Sequence, residues 1–200
     1  SVDDLFVSEP NPSWFGNGPN EPDHPCWTNK NCLKSRFHFA FAEWHGGSNR
    51  FGCLRVVIDE LIQPSRGFGT HGHRDMEIIT YVLEGALEHN VTIGEGGVLY
   101  RGDVQHMSAG TGIMHSEYNY SKSENVHFLQ IWLEPKVKGV KPIYNQRSFN
   151  IEKNPGKLNL VVARDGRNSA LKVNQDVDLF AAALKEGDRI SYSFQANRYG

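Results

Sequence analysis

The sequence predicts an all-β fold of the sandwich or barrel type. Short runs rich in β-branched and aromatic residues recur along it, and glycine-bearing turns separate them. Helical periodicity is weak: only DVDLFAAALKEGD has a helix-like composition, and a strand suits it equally. From the N-terminus, residues 1–35 are rich in Pro, Asn and Gly and read as an arm, with Trp14, Phe15 and Trp27 as candidate anchors onto a core. Strand signals begin at Arg36, where Phe37, Phe39 and Phe41 alternate with His38, Ala40 and Ala42. The runs CLRVVIDE, MEIITYVLE, GGVLYRG and VHFLQIWLEP follow, with turns at residues 67–69, 85, 94–97, 102 and 110–112. Residues 36–135 therefore read as one barrel. Residues 136–157, with clustered Lys and Arg and little alternation, read as a linker. Over residues 158–200 strand signals resume in LNLVVA, SALKV, VDLFAAALKEG and RISYSFQ. That is too little chain for an independent closed barrel of about eight strands.

Composition narrows the classes. Hydrophobic residues make up 38% of the 200, with 20 glycines besides, which is ordinary for a soluble globular chain and excludes wholesale disorder. The 21 basic and 23 acidic residues nearly cancel, so no global field draws the chain onto nucleic acid or an anionic membrane. No stretch approaches the roughly 18 apolar residues of a membrane span, and SVDDLFVSEPNPSW lacks the basic and apolar regions of a signal peptide. The expectation is a cytoplasmic protein, or a nuclear one in a eukaryote, with no direct nucleic-acid binding. Cys26, Cys32 and Cys53 are odd in number and match no zinc-finger spacing, so they read as packing residues or surface thiols.

The chemistry lies in two segments. In GFGTHGHRDME, His71 and His73 stand two apart at a strand edge. On a strand such residues share a face about 7 Å apart and can converge on one ion. Nine histidines in 200 positions give roughly 0.4 such pairs by chance, so the pair alone says little. In GDVQHMSAGTGIMHSEYN, however, His115 and Glu117 repeat the spacing. Three imidazoles and a carboxylate suit Fe, Ni, Cu, Mn, Co or Zn rather than Ca or Mg. Gly110 and Gly112 permit the positive-φ turn that would deliver His115 to a cavity.

HGHRDMEIITYVLEGALEH, RGDVQHMSAGTGIMHSEYN and VHFLQIWLEP together resemble the pirin family of the cupin superfamily over residues 34–149. The resemblance implies a cupin double-stranded β-helix, or jelly-roll barrel, in a bicupin whose second barrel this chain only partly contains. It implies that His71, His73, His115 and Glu117 hold the metal, Fe(II) by preference, while Glu77, at the glutamate position of the general cupin motif, lies outside the ligand set and orients a ligand histidine. Pirins commonly read His-Pro-His, whereas Gly72 stands between the histidines here.

Two functions follow from the resemblance. The first is an oxidoreductase like quercetin 2,3-dioxygenase, cleaving a flavonol with dioxygen. Glu117 is its expected catalytic base, able to accept the proton of a substrate hydroxyl where metal-bound imidazoles cannot easily do so. The alternative is a non-catalytic, metal-bearing, redox-responsive transcription cofactor that meets a protein partner; a homodimer is also allowed. Among the remaining residues, His106, His89 and His127 read as structural and Met76, Met107 and Met114 as core filler. Phe128, Ile131 and Trp132 read as barrel wall, and Arg74 and Asp75 as an ion pair at the site mouth.

Overall fold

The computed structural model describes residues 5–18, 33–42, 44–94 and 96–200. Its centre is eight strands: β3 (Leu54–Ile62), β4 (Gly67–His73), β5 (Glu77–Glu84), β6 (Ala86–Val91), β7 (Gly97–Tyr100), β8 (Asp103–Ser108), β9 (Ile113–Asn119) and β10 (Val126–Leu133). They divide into a sheet ordered β3-β10-β5-β8 and a sheet ordered β4-β9-β6-β7. Every connection crosses between the sheets except the β6–β7 hairpin, which is the winding of a jelly roll. Two short strands, β1 (Phe6–Ser8) and β2 (Leu33–Phe37), extend the larger sheet beyond β3, and β11 (Ile143–Ser148) extends it beyond β8.

Alternation decides which side chains enter the barrel. In β3, Val56, Ile58, Glu60 and Ile62 are buried while their neighbours are only partly so. In β9 the buried set is Ile113, His115, Glu117 and Asn119. Inside the barrel, Leu33, Ile62, Val82, Leu87, Leu99, Val126 and Phe128 pack as one cluster, with Phe15 and Phe68 against it. Burying each of these larger side chains stabilises the fold by about 1.5–3 kcal/mol.

β5 behaves differently, since its first four residues are all buried. Its outer face is covered by a three-stranded sheet of β12 (Asn159–Ala163), β13 (Leu171–Lys172) and β14 (Asp178–Ala181). Ile79 and Val104 of the barrel pack there against Val161, Val162, Leu171 and Ala181, and Ile131 joins them from β10. Ile131 therefore faces the second layer rather than the barrel interior. The ambiguous segment around Phe180 is a strand.

Three sequence expectations are corrected. The linker assigned to residues 136–157 contains β11, which is paired along its whole length with β8. Its alternation is invisible because β11 lies mostly exposed at a sheet edge. The arm assigned to residues 1–35 supplies β1 and the start of β2, hydrogen-bonded in turn onto β3. The strand begun there ends at Phe37 instead of running on through Phe41. Phe41 turns back to a bridge with Trp44 and sets its ring edge-on to Trp132, with centroids 5.1 Å apart. Of the expected anchors, Phe15 packs edge-on against Phe68 at 5.0 Å, whereas Trp14 is exposed. Trp27, Cys26 and Cys32 lie outside the described residues. No helix among the described residues is long and apolar enough to cross a membrane.

Candidate metal centre

The site is assembled by register on the smaller sheet. β4 and β9 run antiparallel with His71 directly opposite His115, and β6 on the other side of β9 sets His89 opposite Glu117. The β4–β9 ladder slips between Phe68 and His71, a bulge of the kind that re-aims side chains at barrel rims. Asn17 fixes the start of β4 by accepting from the Gly67 N–H at 2.9 Å and donating to the Gly67 carbonyl at 2.7 Å. The turn into β9 needs glycine: Gly110 sits at φ 44°, and a Cβ there would come within 2.0 Å of the Val140 carbonyl oxygen.

The three imidazoles of the motif segments crowd together. Ring centroids lie 4.2 Å apart for His71 and His115, 4.8 Å for His73 and His115, and 4.9 Å for His71 and His73. Nε2 of His73 is 2.8 Å from Nε2 of His115. Nδ1 of His71 is engaged at 2.8 Å by the Gly69 carbonyl, so it carries the proton and leaves Nε2 free. Nδ1 of His115 is engaged at 2.9 Å by Nε2 of His89. Glu117, 3% exposed, accepts from Nε2 of Gln130 at 2.5 Å and lies 3.7 Å from Nε2 of His89.

Burial sets the protonation states. It lowers His73 to about 4 and His89 to about 3, and it depresses His115 further, with neighbouring histidines adding to each. All three are therefore neutral near pH 7, the form in which imidazole ligates a metal. The Glu117 carboxyl is pushed up to about 7 by complete burial, partly offset by the hydrogen bond from Gln130. A nearby cation would favour its ionised form.

The donor set fits a transition metal. His71, His73 and His115 form one group of candidate ligand atoms within 4.8 Å of one another, and His89, His115 and Glu117 form a second that shares His115. Two of the rings already have Nδ1 hydrogen-bonded, the usual way a protein orients an Nε2 ligand. His71, His73, His115 and Glu117 border a cavity of about 240 Å³ walled by Phe37, Phe41, Ile58, Phe68 and Trp132, with Trp14 and Phe15 from the N-terminal turn. Trp132 stands edge-on to His73 at 4.9 Å. Its buried Nε1 and the Oε1 of Gln130 have no partner among the described residues.

Four readings of individual residues change. Glu77 does not orient a ligand histidine. It points to the opposite face of the larger sheet, where its Oε2 accepts from His106 Nε2 at 2.7 Å and the Asn174 N–H at 3.0 Å, and its Oε1 from the Ser108 hydroxyl at 2.6 Å. His89, which the sequence reads as a structural histidine, touches His115. Asp75 accepts from the Gly139 N–H at 2.6 Å, so its partner is that backbone group. Met107 is core, while Met114 is 43% exposed.

Comparison with known proteins agrees with this architecture. The Pirin family model matches residues 22–133, and that of the quercetinase C-terminal cupin domain matches residues 160–200. The chain is 43% identical over 180 residues to quercetin 2,3-dioxygenase of Escherichia coli, covering 90% of this chain and 75% of that one. It is 40% identical over 170 residues to a pirin-like protein of Caulobacter vibrioides, covering 84% and 73%. Among solved structures, that of the Escherichia coli bacterial pirin YhhW in complex with nickel(II) superposes with a TM-score of 0.70 at 39% identity, over 88% of this chain and 70% of that one. In sequence, winding and similarity alike, the chain belongs to the pirin family of cupin proteins.

Proposed function

We propose that His71, His73, His115 and Glu117 hold one divalent transition metal, and that the protein is a dioxygenase acting on a flavonol of the quercetin type. The observation that carries this is the placement of the four donors along a mostly apolar cavity, whose other polar lining is Ser8, Ser35, Glu60 and Gln130. The names of the Escherichia coli relative and the nickel(II) complex of the related pirin support it. When bound, the metal would supply a Lewis-acidic, redox-capable centre with coordination positions open to small ligands. It is Fe(II) by family resemblance, although the donor types equally admit Ni, Cu, Mn, Co or Zn.

The chain's own residues would do the rest. Phe37, Phe41, Ile58, Phe68 and Trp132 offer flat apolar walls that exclude water and receive aromatic rings. Trp132 Nε1–H and Gln130 Oε1, two residues apart on β10, are a buried donor and acceptor without partners among the described residues, and a small side-chain shift would be needed to bring them to a substrate carbonyl and hydroxyl. Glu117 would accept the substrate's hydroxyl proton, a role suited to a carboxylate that burial keeps near neutrality in its affinity for protons. Oxygen uptake on a flavonol panel, with wild type and His115→Ala each loaded with Fe, Ni, Cu, Mn or Co, tests the reading. Uptake should depend on metal and flavonol together and vanish in His115→Ala. Metal-loaded wild type that consumes no oxygen with any flavonol would overturn the enzymatic assignment.

A further inference from the structure

His89 is the buried histidine beside the donor set that the proposed ligation does not use. Its side chain has no exposure, and the Tyr144 ring stacks on it at 5.1 Å with 29° between planes. Its Nε2 sits 2.9 Å from Nδ1 of His115. Its Nδ1 has no partner among the described residues.

The proton positions follow from this geometry. If Nε2 of His115 is to ligate, that nitrogen must be bare, so the ring's one proton sits on Nδ1. Nδ1–H can then only donate toward His89, whose Nε2 must be bare to accept it. The His89 proton is thereby confined to Nδ1. The opposite assignment, with the proton on Nε2 of His89, would leave Nδ1 of His115 accepting and put the His115 proton on the ligand nitrogen. The contact with Glu117 agrees with a bare Nε2: 3.7 Å is beyond hydrogen-bond length, so His89 does not hold Glu117 away from the ion. We propose that His89 is a positioning residue, a neutral hydrogen-bond acceptor that fixes His115 as its Nδ1–H tautomer and so presents Nε2 to the metal. The metal site of the preceding section is assumed; flavonol chemistry is not. An imidazole does here what a carboxylate or carbonyl does for most metal-bound histidines, and it leaves His115 a neutral rather than a partly anionic ligand.

The test reads metal affinity, with Ni(II) alone and no flavonol. Competition with a chelator should show His89→Phe, which keeps a ring against Tyr144 but has no acceptor, binding about 10- to 100-fold more weakly than wild type. His89→Gln, whose side-chain oxygen can reach the place of Nε2, should recover affinity to within a few-fold. His71→Ala separates the two ideas: if it binds Ni(II) like wild type, the metal-site assignment fails, whatever His89 does. Wild-type affinity in a folded His89→Phe would overturn the positioning role. A measurement on unaltered protein guards against a variant that does not fold. In the Zn(II)-loaded, 15N-labelled chain, nitrogen shifts should show a protonated Nδ1 on His115 coupled through its hydrogen bond to an unprotonated Nε2 on His89. A protonated Nε2 on His89 would overturn the proposal.

Discussion

Replacing Glu77 by alanine separates the role its sequence position suggested from the one the fold gives it. The Glu77 side chain is fully buried and accepts three hydrogen bonds, from His106, Ser108 and the Asn174 backbone. The last of these ties the chain after β13 to the back of the barrel. Removing the carboxylate strands three donors, two of them on side chains exposed by 3% or less. An unsatisfied buried donor costs about 1–3 kcal/mol, and breaking a buried ionised partner costs about 3–5 kcal/mol in all. We expect Glu77→Ala to lose about 3–5 kcal/mol in urea unfolding of the metal-free protein, or about 6–20 °C in melting temperature for a chain of this size. Glu77→Gln, which keeps one acceptor oxygen, should fall between. Burial works to raise the Glu77 carboxyl, but the hydrogen bonds from His106 and Ser108 outweigh it and hold it below its ordinary value of 4.5. Its contribution is therefore present above pH 4.5 and lost as pH falls through the lower folded value, so Glu77→Ala should flatten that acid limb. Ni(II) affinity should stay within about threefold of wild type, because Glu77 faces away from the cavity. A stability loss below about 1 kcal/mol, or a selective fall in metal affinity, would refute this reasoning.

Three further outcomes are expected. Glu117→Gln should retain weakened metal binding while flavonol-dependent oxygen uptake falls by about 10²–10⁴-fold; unimpaired turnover would exclude Glu117 as base. The metal-free protein should lose stability on acidification from pH 6.5, because His73, His89 and His115 take up protons in the unfolded chain there but in the fold only at much lower pH. Glu117, raised to about 7, opposes this by protonating first in the fold, but one carboxyl is outweighed by three depressed histidines, and a urea midpoint unchanged between pH 7 and 5 would contradict their neutral burial. Gly110→Ala should cost more than about 2 kcal/mol in thermal melts, since it strains both φ and the contact with Val140, whereas Gly102→Ala, with open space around it, should cost about 1 kcal/mol.

The separation between what the sequence disclosed and what it withheld has a physical basis. His71, His73, His115 and Glu117 were legible because each pair sits two apart on one strand, where alternation alone sends both side chains to one face. His89 has no such companion; it reaches the site through the β6–β9 register, a long-range pairing that local pattern does not encode. Glu77 misled for a related reason. In MEIITYVLE both strand faces are buried, so alternation could not say which face pointed into the barrel. That two-sided burial was itself a sign that another layer covers β5, and β12–β14 supply it. β11 escaped notice because an exposed edge strand needs no apolar stripe.

The proposed function turns on one ion held by four named side chains. Anomalous diffraction from crystals of the Ni(II)-loaded protein tests this most directly. It should show a single strong peak bonded to His71, His73, His115 and Glu117, with His89 behind His115 and outside bonding distance. A peak bonded through His89 in place of Glu117, or one lying away from these side chains, would contradict it.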